Sequence, residues 1–171
     1  MRILPIDSNF RPIVNELIKD EWAGPMIVTK GHTWNTSTLP GFVAIDDDKK
    51  FCGAVTYRIS DGECEITSLN SLTENKGIGS SLITAVIETT KQNLCHRVWL
   101  ITTNDNTHAI RFYQRFGFSI KAVYINAIEQ SRKLKPSIPF TGIDGIPLLH
   151  EFEFEILLNI EENMHDKRRV P

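Results

Sequence analysis

ECEITSLNSLTENKGIGSSLITAVIETT, residues 63–90, joins an alternating run to a helical stripe through two glycines set one residue apart. The alternating part reads as a strand. Leu82, Ile83, Val86 and Ile87 then share one face at helical spacing, which predicts a helix starting at or just after Gly77 to Ser80. RVWLITT, residues 97–103, follows as a second strand. Strand, turn, helix and strand in succession imply a parallel pair joined by a right-handed crossover.

Working outward toward the N-terminus, GFVAI, the charged turn DDDKK, FCGAVTYRI and the turn SDGE form a meander that feeds this unit. RILPI predicts a short opening strand, and Ile13, Val14, Leu17, Ile18 and Trp22 predict an amphipathic first helix. Residues Gly24 to Pro40 mix turn formers with His32 and Trp34 and read as an irregular segment or a short second helix. Toward the C-terminus, NTHAIRFYQRF predicts a helix capped by Asn or Thr and closed by Gly117, and FSIKAVYIN returns as a strand. An excursion over about residues 126–148, with a few helical turns before Pro136, leads into HEFEFEILL, whose alternation marks the last strand. Such an alternating terminal strand can pair with a second subunit at a sheet edge, so monomer and homodimer both stay open. The class is α+β, a mixed sheet flanked by helices. One domain over residues 1–158 is expected, with a polar tail over 159–171.

The chain has 171 residues and a formal charge of −2, with 41% apolar residues, which describes a folded protein with no basic excess for a phosphate backbone. Nucleic acid is not expected as a partner. Cys52, Cys64 and Cys95 have no CxxC spacing and no leader is evident, so a reducing cytoplasm is the expected location. No apolar run approaches membrane-spanning length. The five histidines are scattered, and no metal is expected.

A helix that begins directly after a strand presents unpaired N–H groups and the positive end of its dipole, both of which favour an anion. A pyrophosphate could lie against the N–H groups of about Asn75 to Ser80, with Lys76 and the hydroxyls of Ser80 and Ser81 nearby. Alternatively, Gly77 and Gly79 simply permit a tight turn and close helix packing. The P-loop spacing is absent, and so is the third glycine of the dinucleotide fingerprint, whose place is taken by Leu82.

The order LNSLTENKGIGSSLI, then RVWLITTNDNTHAIRFYQRFGF, resembles the acyl-CoA-binding core of the GNAT superfamily of N-acetyltransferases. The family's turn, Arg/Gln-x-x-Gly-x-Gly/Ala, is met except at its first position, where Glu74 stands. Its Asn-x-x-Ala, Tyr and Gly-Phe signature is met by Asn106, Ala109, Tyr113, Gly117 and Phe118. The resemblance implies a twisted mixed sheet of about six to seven strands and acetyl-CoA as cosubstrate. It further implies that Ser68, Leu69 and Asn70 belong to a strand pairing with the pantetheine while Val98 to Thr102 splay away. Asn75, Lys76, Gly77, Ile78, Gly79, Ser80 and Ser81 would hold the pyrophosphate, and Asn106 would contact the pantetheine arm or only cap its helix.

Tyr113 would then be the general acid for the departing thiolate, since a phenol near pKa 10 is protonated at neutral pH. ECE puts Glu63 and Glu65 on one strand face, where either could take the amine's proton, directly or through water. Glu65 is nearer the splay. His108 is a weaker candidate, and Cys64 should face the core. Trp22, Trp34 and Phe42 could line a pocket for the acceptor or close the core, while Arg132, Lys133 and Lys135 make the excursion locally basic. The expected activity is acetyl transfer to a primary amine of a small molecule or peptide by direct attack in a ternary complex. The rival is a non-catalytic acyl-CoA-binding module, motivated by Glu74.

Overall fold

β6 (Glu63–Ser71) and β7 (Arg97–Thr103) run parallel from Glu63 opposite Arg97 to Ile66 opposite Leu100, and then part. Both strands continue beyond that point without pairing to each other, so a gap opens in the middle of the sheet. The computed structural model that shows this describes residues 1–22, 24–73 and 76–159.

The remaining strands are β1 (Arg2–Pro5), β2 (Met26–Thr29), β3 (His32–Asn35), β4 (Gly41–Ile45), β5 (Phe51–Ser60), β8 (Ser119–Tyr124) and β9 (Glu151–Leu157). Among the described residues, seven of the nine strands form one sheet in the order β1-β4-β5-β6-β7-β9-β8, in which β6 and β7 make the parallel pair. The helices are α1 (Arg11–Trp22), α2 (Ile78–Gln92), α3 (Thr107–Phe116) and α4 (Ala127–Leu134).

Alternation along each strand divides the sheet into two faces. On one face Val55, Cys64, Ile66, Val98, Leu100 and Phe154 pack under Leu82, Ile83 and Val86 of α2 and Tyr113 of α3. Each fully buried aliphatic side chain in this layer contributes about 1.5–3 kcal/mol. On the other face Val43, Ile45 and Ala54 pack against Val14 and Ile18 of α1.

Residues 24–40, expected to be irregular or helical, instead form the β2–β3 hairpin, a separate two-stranded sheet followed by a single 3₁₀ turn. Its two-residue turn, Lys30-Gly31, has φ +50° and +74°, the left-handed pair that matches the twist of a tight hairpin. β9 lies between β7 and β8 and is hydrogen-bonded on both sides, so it is not an edge; β1 and β8 are. The polar tail expected over 159–171 falls, from residue 160 onward, outside the described residues.

β6 carries a bulge. Thr56 of β5 faces Ser68 while Tyr57 faces Ile66, leaving Thr67 as the extra residue. Both the Thr67 and Ser68 hydroxyls then reach Thr56 Oγ1, at 2.8 and 2.6 Å. The bulge lies where the gap begins.

Candidate active site

Gly77 and Gly79 serve different ends. Gly77 caps α2 in the left-handed region at φ +71°, and no atom lies within 4 Å of where a Cβ would stand. A Cβ on Gly79 would come within 3.1 Å of the Phe112 ring, so this glycine lets α3 pack against α2. Among the described residues no side chain caps α2, and Gly77, Ile78, Gly79 and Ser80 at its start line a cleft of about 810 Å³.

That cleft runs from Gly77, Ile78, Gly79 and Ser80 past Leu69 and Ser71 on β6 to Asn106, Ala109, Phe112 and Tyr113 on α3. Asn106 caps α3 by accepting from the Ala109 N–H at 3.0 Å, and Gly117 closes the helix at φ +117°. Tyr113 is buried against Phe112, Phe118 and Phe154, and burial pushes its hydroxyl well above the ordinary phenol range. The hydroxyl stays protonated at any physiological pH.

These are the elements that the sequence places together. The acetyltransferase (GNAT) family matches residues 11–118. The chain belongs to the GNAT acetyltransferase family. The uncharacterized Bacillus subtilis protein YdhI is 37% identical over 159 residues, covering 93% of this chain and 99% of its own. A Bacillus subtilis acetyltransferase solved in complex with CoA has a TM-score of 0.67 at 18% identity, covering 92% of this chain and 99% of its own. A GNAT family acetyltransferase from Elizabethkingia anophelis with acetyl-CoA bound has a TM-score of 0.65 at 19% identity, covering 92% and 97%.

The other residues expected at a GNAT cofactor site are more dispersed. Ser68 turns its buried hydroxyl to Thr56, and the buried Oδ1 of Asn70 has no hydrogen-bond partner among the described residues. Lys76 is exposed and Ser81 half-buried, and neither lines the cleft. Asn75, Glu74 and the Trp22 side chain lie outside the described residues. Arg111 and Arg115, one helical turn apart on α3, do line the cleft and were not anticipated; their i, i+4 spacing was the available signal.

Glu63 and Glu65 share a face, as the alternation requires, but it is the face opposite Tyr113. They border a recess of about 60 Å³ with Arg58, Ser60, Asp61 and Trp99, room for about two waters. Glu65 is 1% exposed. Its Oε2 accepts from Arg58 Nε at 2.7 Å and its Oε1 from Thr29 Oγ1 at 2.8 Å. Glu63 is bonded by Arg97 at 2.8 Å, which holds its carboxyl below the usual range. Cys64 faces the core, where burial pushes its thiol up to about 12.

The same face continues across β7, β9 and β8 as a buried polar layer that the sequence reading missed. Arg97 bonds Glu153 and Glu155 at 2.9 and 2.8 Å, and the Lys30 ammonium bonds Glu153 at 2.9 Å while lying 5.1 Å from the centres of the Trp99 and Tyr124 rings. Tyr124 also donates to Glu153. Glu151 accepts from the Lys30 N–H and the Ser131 hydroxyl, both at 3.2 Å. The cover for this layer is the β2–β3 turn and α4.

Phe42 stacks on Tyr57 at 6.0 Å within the core below α2, which removes it from the acceptor side. Trp34 remains there, lying over the Arg58 guanidinium at 3.9 Å. Arg132 is spent on the carbonyls of Ile138, Pro139 and Leu148, and Lys135 donates to Met26 O. The excursion is pinned to the β7–α3 loop by Asn104, which bonds Pro147 O and the N–H groups of Leu149 and His150, and by Asp105, which accepts from the Ile143 N–H. No group of His, Cys, Asp and Glu among the described residues could hold a metal, and no described helix is long and apolar enough to cross a membrane.

Proposed function

We propose that this protein transfers an acetyl group from acetyl-CoA to a primary amine of a small molecule or peptide by direct attack in a ternary complex. The observation that carries the reading is the continuous cleft from the α2 N-terminus, along the unpaired edge of β6, to Tyr113. Its anion end fits a pyrophosphate: left-handed Gly77 leaves the surface open, no side chain among the described residues caps the first-turn N–H groups of α2, and Arg111 and Arg115 add positive charge. The absence of a basic residue at position 74 is offset by these donors.

Bound there, acetyl-CoA would supply a thioester carbonyl open to attack. Leu69 and Ser71 would line the arm that reaches it, and the gap beyond Ile66 and Leu100 is where the cleft and the polar face would meet. Tyr113, kept neutral by burial, would give its proton to the leaving sulfur. The carboxylates of the opposite face would draw the acceptor's ammonium and take up the proton it sheds. Acid and base then act from the two sides of one opening.

Calorimetric titration with acetyl-CoA and CoA, followed by a broad amine panel, tests the reading. Binding of both with turnover of one class of amine is expected. Binding without turnover of any amine would leave a non-catalytic acyl-CoA-binding module, and no binding by folded protein would overturn both.

A further inference from the structure

Five glutamates lie along the polar face: Glu63 and Glu65 on β6, and Glu151, Glu153 and Glu155 on β9. Glu63 is paired with Arg97 and His96, Glu65 with Arg58, Glu153 with Lys30 and Arg97, and Glu155 with Arg97 and Lys121. Glu151 alone has no ion-pair partner among the described residues. It is nevertheless 1% exposed, and among the described residues its hydrogen bonds come from two neutral donors at 3.2 Å.

Its position suits a role at the gap. Glu151 stands opposite Thr103, in the stretch of β7 that has already parted from β6. The Thr29–Lys30 segment joins it to Glu65, since the Thr29 hydroxyl bonds Glu65 and the next residue's N–H bonds Glu151. Glu65 has one oxygen held by a guanidinium and the other by a hydroxyl, so its lone pairs are engaged by strong, short bonds.

We propose that Glu151, rather than Glu65, receives the proton that the acceptor's ammonium must lose before attack. This rests on the acetyl-transfer reading above. Glu151 takes a proton from R–NH₃⁺ and becomes a neutral carboxylic acid. The freed lone pair forms the C–N bond to the acetyl carbonyl carbon, the C–S bond breaks, and Tyr113 protonates the sulfur and regains a proton from the new amide nitrogen. The Glu151 proton returns to solvent, so that ammonium and thioester give amide, thiol and one released proton.

The surroundings favour a proton acceptor more basic than an ordinary glutamate. Burial raises the Glu151 carboxyl above the ordinary range and the Glu65 charge raises it further, while the Lys30 and Ser131 hydrogen bonds and the Lys30 charge act against them. Of the other groups around it, Tyr124 on β8 and Glu153 on β9 are bonded to each other, and His150 accepts from the Asn126 N–H. Arg132 on α4 is turned to the excursion's carbonyls.

The test combines pH profiles of kcat/KM, using the most readily acetylated amine of the panel, with ¹³C-glutamate NMR titration of the protein free of acetyl-CoA. E151Q is expected to lower kcat by about 100-fold or more, to remove the acidic limb and to leave acetyl-CoA affinity unchanged. The glutamate resonance titrating at the highest pH should vanish with it. S131A removes a donor to the carboxylate form, so the limb and that resonance should both move to higher pH. E151Q retaining the wild-type rate and limb, or a limb that disappears in E65Q instead, would overturn the assignment while leaving acetyl transfer standing. Should E151Q fail to bind acetyl-CoA, an unmoved limb and resonance in S131A would overturn it. A wild-type protein that binds acetyl-CoA but acetylates no amine would overturn the transfer reading and the base with it.

Discussion

Arg58 Nε lies 2.7 Å from Glu65 Oε2 while the same guanidinium stacks 3.9 Å above the Trp34 ring. One side chain thus neutralises a buried carboxylate of β6 and ties the β2–β3 hairpin to the sheet. Removing one partner of a buried pair costs about 3–5 kcal/mol, and because Arg58 is 26% exposed the low end applies. R58M should therefore lower stability by about 3 kcal/mol in urea unfolding, and R58M/E65Q should recover part of that loss. Equal losses in the single and double variants would show that the pair is not what R58M breaks.

The two glycines that open α2 should respond differently to alanine. G77A places a Cβ at φ +71°, a strain of about 1–2 kcal/mol, with no contact made. G79A adds a helix-favouring residue but pushes on the Phe112 ring at 3.1 Å, so the walls of the cleft must shift by a few tenths of an ångström. G77A should lose stability, whereas G79A should stay within about 1 kcal/mol of wild type yet bind acetyl-CoA more weakly. Unfolding curves and calorimetry on the same samples separate the two effects.

The α2 turn, the parallel pair and the Asn106-capped helix were legible because their cues are local: glycine spacing, a helical stripe, a cap. The β2–β3 hairpin was not, since its turn is Lys30-Gly31 rather than Asn-Gly and its strands are only four residues each. The glutamates of HEFEFEILL illustrate a deeper limit. Alternation shows that Glu151 and Glu153 share a face, but period two is the same whether that face meets water or, as here, lies beneath a hairpin and a helix. What buries them comes from residues 30 and 131, distant in sequence and carrying no cue that they meet.

Tyr113→Phe isolates the hydroxyl. The ring packs against three phenylalanines, and no hydrogen bond to the hydroxyl is made among the described residues, so stability should change by less than about 0.5 kcal/mol. Turnover should fall by about 100-fold with acetyl-CoA affinity unchanged. Undiminished turnover would move the acid role elsewhere.

Glu151 should also be visible in folding thermodynamics without any substrate. Its carboxyl titrates higher in the folded than in the unfolded chain, so the folded state binds the extra proton between those two values and stability falls as pH rises through that window. Above the folded value the penalty is complete, which makes the charged Glu151 a destabilising residue there. Gln at this position can accept from the Lys30 N–H and donate to Ser131 without carrying charge. E151Q should therefore unfold at higher urea than wild type at pH 8 and lose that advantage toward pH 4, by up to about 1.4 kcal/mol for each pH unit within the window. Parallel unfolding curves from pH 4 to 8, offset by a constant amount, would mean that this carboxyl titrates alike in the folded and unfolded chain, and a residue retained for catalysis at the expense of stability would not be what β9 carries.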